Sequence, residues 1–146
     1  MKCSDFNLKN NMSHQAPMLL VDEILSESSN SGSTVLTVRK DNIFLDESGF
    51  LSRCAFIEIA AQSFAAIDIY QKTLKKENRV NGFLAAARDF SFYADAKEND
   101  TIVCELHKFD ELEKLHFIKA KLSSDKGSLL AQGEIRIYEL SADELK

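Results

Sequence analysis

Proline occurs once in the 146 residues, cysteine three times, and positive charge is outnumbered by negative. These shortages exclude several classes of protein. Cys3, Cys54 and Cys104 form no CxxC pair and have no histidine at metal-ligand spacing, so structural zinc has no donor set. An odd number of scattered thiols fits a reducing compartment, and a cytosolic location is expected. A formal net charge of -5 offers no basic field to phosphates, which argues against nucleic acid as the principal partner. The segment Met1–Met12 is polar and mixed in charge, so no signal peptide is read there. The most apolar stretch is interrupted by Glu58, Gln62 and Asp68, which argues against a membrane span. What remains is an ordinary globular composition, 45% hydrophobic and 28% charged, with length for one domain spanning 1–146 and one core.

That apolar stretch, Cys54–Tyr70, reads C-A-F-I-E-I-A-A-Q-S-F-A-A-I-D-I-Y. It is Ala-rich, free of Gly and Pro, and too long for an ordinary strand, so it is read as a helix. Ser52 is the expected N-cap, and a basic run (Lys72, Lys75, Lys76, Arg79) suits its C-terminal dipole near Lys76. Apolar residues fall on nearly every side, which predicts burial all round. Glu58 and Gln62 then stand one turn apart on one stripe. A buried carboxylate must be paired, neutral, or facing a cavity, which is how a general acid looks in sequence.

The rest reads as strands. Residues 1–12 form a leader or a short amphipathic turn. Ser13–Pro17 leads, with the lone proline, into Met18–Leu25, and a turn over Ser26–Ser33 joins it to Thr34–Lys40 as a hairpin. Four strand-like runs follow the helix: Gly82–Ala94, Thr101–Phe109, Leu115–Ser124 and Leu129–Leu140. Ser141–Glu144 has a capping-box pattern. A helix apolar all round needs a curled sheet and a second copy to enclose it.

The order of hairpin, helix and meander resembles the hotdog fold, an α+β architecture with an antiparallel sheet wrapped around a long central helix. Ser13-His14-Gln15-Ala16-Pro17-Met18-Leu19-Leu20-Val21-Asp22 resembles the histidine-bearing entry segment of FabZ-type 3-hydroxyacyl-[acyl-carrier-protein] dehydratases. Phe56-Ile57-Glu58-Ile59-Ala60-Ala61-Gln62 is similar to that family's helix motif. Gly82–Phe90 resembles the strand that follows, closest to the branch associated with aryl-polyene pigment clusters. Two departures stand out. The Pro- and Gly-rich loop of the housekeeping enzymes is here Phe50-Leu51-Ser52-Arg53-Cys54, with Gly only at 49, and Ala86 stands where pigment-type relatives often have Gly.

The resemblance implies a cytoplasmic lyase of fatty-acid or polyene-type biosynthesis that dehydrates a 3-hydroxyacyl thioester to the trans-2-enoyl product. It implies no metal and no diffusible cofactor. The substrate would ride on the phosphopantetheine of acyl carrier protein, without membrane or nucleic-acid partners. An imidazole suits the base that removes the C2 proton, giving that role to His14, and Glu58 would protonate the leaving hydroxide. Backbone N–H groups of Arg53, Cys54 or Ala55 would hold the thioester oxygen at the helix N-terminus. In related dehydratases the His and Glu of one site come from different subunits, which fits a homodimer, with a heterodimer as the alternative. Phe56, Ile59, Gln62, Leu84, Ala85, Ala86 and Phe90 complete the expected substrate contacts, as walls of a tunnel between the helix and the following strand.

Other readings compete. His14 could be a turn histidine beside Pro17, and Glu58 could pair with Arg53 or Arg88 as a structural bridge. Gln62 suits a backbone hydrogen-bonder, Cys104 a core residue, and His107 and His116 surface positions. Cys54 at a helix N-terminus is a candidate nucleophile without a sequence-adjacent base. A hotdog thioesterase using Glu58, or a non-catalytic subunit of a dehydratase heterodimer, are the alternative functions. Either the Lys72–Arg79 cluster or Arg53 with Arg88 would meet an acidic carrier.

Overall fold

The computed structural model of the chain describes residues 2–141. The expected capping box at Ser141–Glu144 lies largely outside them. A 3-10 turn at Cys3–Asp5 and a short helix α1 (Leu8–Asn11) open the chain. The strands are β1 (Glu23–Glu27), β2 (Ser31–Thr37), β3 (Asn81–Phe92), β4 (Thr101–Leu112), β5 (Leu115–Ser124) and β6 (Leu129–Leu140). Helix α2 (Cys54–Leu74) lies between β2 and β3 in sequence. The sheet has six strands in the order β1-β2-β4-β5-β6-β3, all paired antiparallel. This is the hotdog architecture.

Period-2 alternation builds the sheet. Ile102, Cys104 and Leu106 on β4, and His116, Ile118, Ala120 and Leu122 on β5, turn inward and are buried. On β6 the register shifts opposite Leu122 and Ser123, so that adjacent Leu130 and Ala131 are both buried before the alternation resumes at Ile135 and Ile137. The last four strand-like runs of the sequence match β3–β6 closely. The first hairpin is displaced, because Met18–Val21 does not enter the sheet and packs over α2 instead.

Helix α2 is not capped by Ser52. Arg53 is its N-cap without a side-chain cap bond, and the entry turn is closed by Ala55 N–H to Ser52 O (3.0 Å) and Phe56 N–H to Arg53 O (3.1 Å). Its C-terminus is a Schellman motif: Glu77 N–H donates to Lys72 O (2.9 Å) and Lys76, at φ 56°, donates to Thr73 O (3.2 Å). Nor is the helix buried all round. Phe56, Ile59, Ala60, Gln62, Ser63 and Ala66 are buried, whereas Ile57, Glu58, Ala61, Phe64, Ala65 and Asp68 form a half-buried stripe. The buried face is locked to β2 by the Thr34–Ser63 hydroxyl pair (2.6 Å). The partly open stripe lies toward β3, an edge strand that carries Phe83 and Leu84 exposed.

Where β6 passes behind the bulge in β3, its backbone comes so close that only glycine fits. A Cβ at Gly133 would lie 2.7 Å from the Phe90 Cα and 2.4 Å from its ring. The replacement Gly133→Ala is therefore expected to destabilise the fold by about 1–3 kcal/mol through overpacking. Chemical denaturation with an unchanged m-value is the check.

Candidate active site

His14 sits in an irregular segment that the chain secures on both sides. Upstream, Phe6, Leu8 and Met12 are buried, and Phe6 meets the Tyr70 ring edge-on at 5.3 Å. Downstream, Gln15 O accepts from Met18 N–H (2.7 Å) and Leu19 N–H (3.1 Å), around a cis Ala16–Pro17 peptide. Met18–Leu20 is then bound to α2 by one side chain. Gln62 Nε2 donates to Met18 O (2.7 Å), and Gln62 Oε1 accepts from Leu20 N–H (2.8 Å).

The same Gln62 Nε2 donates to Glu58 Oε1 at 3.0 Å. His14 Nε2 stands 3.5 Å from that oxygen, while its Nδ1 is buried without a hydrogen-bond partner among the described residues. His14 and Glu58 of one chain thus already lie within reach of each other, where the resemblance implied residues from different subunits. Glu58 is 25% exposed, so it faces a cleft and is not sequestered in apolar packing. It does not pair with Arg53, which instead bridges to Asp95 at 2.9 Å.

The cleft is about 230 Å³. His14 and Glu58 line one part of it, and the α2 stripe continues along it through Ala61, Phe64, Ala65 and Asp68. Leu84 of β3 and Ile137 of β6 form the facing wall. Of the expected tunnel residues only Leu84 joins the pair there, with Gln62 behind it. Phe56 and Ile59 are fully buried on the opposite side of α2, so they are core. Phe90 stacks on Phe92 (6.0 Å), and Phe92 on Phe56 (6.3 Å). Ala85 and Ala86 lie at the β3 edge, where a register shift between Leu84 and Ala86 breaks the simple alternation. Arg53 and Cys54 are exposed at the start of α2, and the Ala55 N–H is already used by Ser52 O. Ala61 and Ala65 were recoverable from the sequence as the helical neighbours of Glu58.

Farther along the cleft is a charged group that local sequence does not announce. Lys72 binds Asp68 and reaches Glu139 at 3.4 Å. His116 is buried, not superficial: its Nε2 is 3.3 Å from Glu139, its Nδ1 approaches Glu111 at 2.9 Å without hydrogen-bond alignment, and its ring lies 5.3 Å from Phe64. Lys72 and Arg79 are therefore not free surface cations, since Arg79 donates to Asn11 Oδ1 (2.7 Å) and Thr73 Oγ1 (3.1 Å). His107 is exposed as expected, bonded to Ser31 Oγ. Burial pushes the Cys104 thiol up to about 12, which fits a core residue.

Burial raises Asp68 from its ordinary range. Burial would raise Glu139 too, but the hydrogen bond from His116 and the nearby cations outweigh it and hold this carboxyl down to about 2. A carboxylate depressed on folding contributes stability above its unfolded value, and loses it as pH falls through the folded one. The melting temperature of the native chain is thus expected to fall more steeply between pH 4.5 and 2 than that of Glu139→Gln, as measured by calorimetry. Equal slopes would show that Glu139 is not held in this way.

Comparison with known proteins follows the same lines. Among curated proteins none matches the sequence. The dehydratase heterocomplex ApeI:P from Xenorhabdus doucetiae superposes with a TM-score of 0.88, at 22% identity over 96% of this chain and 95% of that one. A hypothetical thioesterase with coenzyme A from Streptococcus pneumoniae TIGR4 gives 0.64, at 9% identity over 82% and 85%. The E. coli PaaI protein from the phenylacetic acid degradation operon gives 0.64, at 12% identity over 83% and 80%. At these identities the superpositions establish the hotdog fold alone. The family described as ApeP dehydratase matches residues 6–146, and the chain belongs to this ApeP-like family.

Proposed function

We propose that the chain removes water from a 3-hydroxyacyl thioester carried by acyl carrier protein, giving the trans-2-enoyl thioester. The observation that carries this reading is the His14–Glu58 pair, 3.5 Å apart on the wall of one cleft. In this reaction His14 Nε2 takes the C2 proton and the C2–H electron pair becomes the C2=C3 bond. The C3–O bond breaks, and the oxygen leaves as water with a proton from Glu58. Gln62 anchors Glu58 Oε1, which leaves Oε2 as the oxygen to carry the proton. The proton held on His14 then returns to Glu58 across the short gap between them, resetting both groups.

The thioester oxygen belongs at the N-terminus of α2, roughly 6 Å along the axis from Glu58 at 1.5 Å per residue. There the N–H groups of Arg53 and Cys54 are the donors, stabilised by the helix dipole. Arg88, and Arg53 although it is bridged to Asp95, are both exposed and would be the cations to meet an acidic carrier. Cytoplasmic action without metal or diffusible cofactor is part of this proposal. No helix among the described residues is long and apolar enough to cross a membrane.

The exposed β3 edge and the half-covered α2 stripe call for a second subunit. The likeness to a dehydratase heterocomplex favours an unlike dehydratase subunit over a second copy. A thioesterase would need Glu58 alone, so the position of His14 against it favours dehydration.

His14→Ala and Glu58→Gln are each expected to lower dehydration by roughly 100- to 10,000-fold, the range of a positioned acid or base. Chromatography should detect enoyl thioester from the native protein. Free acid as the product would replace the assignment with hydrolysis. Mixing the His14→Ala and Glu58→Gln chains should restore nothing, because each intact pair needs both residues in one chain. Recovered turnover in the mixture would move the pair to a subunit seam.

A further inference from the structure

The reaction leaves Asp68 and Glu139 without a task, yet both line the cleft that holds His14 and Glu58. Asp68 follows Glu58 on the same helix by ten positions, roughly 15 Å along the axis. Between them the helix presents Ala61 and Ala65, leaving room that Phe64, Leu84 and Ile137 flank, while Asn11, Ser13, Arg79 and Asn81 also line the cleft. At Asp68 the lining changes character. Lys72 joins the two carboxyl groups from behind, His116 fixes Glu139, and the side chains of Asp68 and Glu139 keep 21% and 14% of their surface exposed.

We propose that Asp68 and Glu139 form a polar end wall that sets the maximum length of an alkyl acyl tail. This rests on the dehydratase reading for where the reacting carbons sit. A tail running from His14 and Glu58 along the helix gains from each methylene placed on Ala61, Ala65 and Leu84, roughly fourfold in affinity per group. A methyl end pressed on Asp68 and Glu139 strips their remaining water and offers no hydrogen bond in return. Binding therefore weakens beyond that length. The pairing of Asp68 with Lys72, and of Glu139 with Lys72 and His116, keeps the wall from folding aside.

The test measures binding separately from chemistry. Saturated acyl-pantetheine thioesters of increasing length are titrated calorimetrically into the full chain, and matching 3-hydroxyacyl thioesters are assayed for turnover. Affinity should rise roughly fourfold per methylene and then break, dropping tenfold or more over the next few carbons. The double variant Asp68→Leu/Lys72→Met should move the break to longer tails. Ala65→Phe, which fills the channel before the wall, should move it to shorter ones. Circular dichroism melts establish that each variant is folded. An unmoved break in the folded double variant would overturn the proposal. So would an unmoved break in Ala65→Phe, which would mean that the tail does not follow this cleft. A break that behaves as stated in a protein without dehydratase turnover would instead overturn the reaction and keep the wall.

Discussion

One primary amide organises the reactive end of this protein. Gln62 is fully buried, and it bonds Met18 O, Leu20 N–H and Glu58 Oε1 together. Those partners belong to two parts of the chain, the irregular segment through Met18–Leu20 and the central helix. A carbonyl oxygen and two N–H bonds match an amide's donor and acceptor inventory almost fully. Loss of the side chain would strand the buried Leu20 N–H, at a cost of about 1–3 kcal/mol, and leave the part-buried Met18 C=O without this donor. Among the described residues His14 Nδ1 has no hydrogen-bond partner, so its position depends on segments tied down on either side. The geometry of the His14–Glu58 pair therefore leans on Gln62, which lies buried behind it.

The rigid component is α2. Its buried face is held by core packing and the Thr34–Ser63 pair, and its other face supplies Glu58 and the cleft floor. Building a site on a packed helix fixes side-chain direction more tightly than building it on loops. The same choice explains why the helix is so apolar. Ala61, Phe64 and Ala65 are not core in this chain, yet a tail or a neighbouring subunit would bury them. They lie with Leu84 on the side toward the open β3 edge, so a ligand and a partner would share adjoining surface.

That double use limits what the sequence could reveal. Strand identity was legible because Ile102-Cys104-Leu106 and Ile118-Ala120-Leu122 alternate, and alternation has one structural meaning. The helix was legible from Ala content and length. Its orientation was not, because cleft-lining Ala61 and Ala65 are as apolar as the core residues Phe56 and Ile59. Periodicity identifies a stripe but does not say whether protein or ligand covers it. Met18–Val21 misled as a strand for a similar reason: it is apolar because it packs on α2, and its backbone groups bond Gln15 O and the Gln62 side chain and not a sheet. The Lys72–Asp68 pair has an i,i+4 signature, but Glu139 and His116 join it from distant strands. Only the β5–β6 register, with His116 opposite Ile137 and Glu139 two positions further, brings these together.

If His14 and Glu58 of one chain serve as the proposed base and acid, what a partner must provide changes. If the pair met across a seam, a partner would need a reactive residue at an exact position, and unlike subunits could not substitute freely. Here the unmet needs are the backbone groups of the β3 edge and the apolar rim of the cleft. Main-chain pairing satisfies the first almost independently of side-chain identity, and any complementary apolar surface satisfies the second. Neither demands chemistry from the neighbour. A partner without reactive groups of its own could thus complete the enclosure, and its side chains would shape the cleft's outer wall while Asp68 and Glu139 limit its length from within.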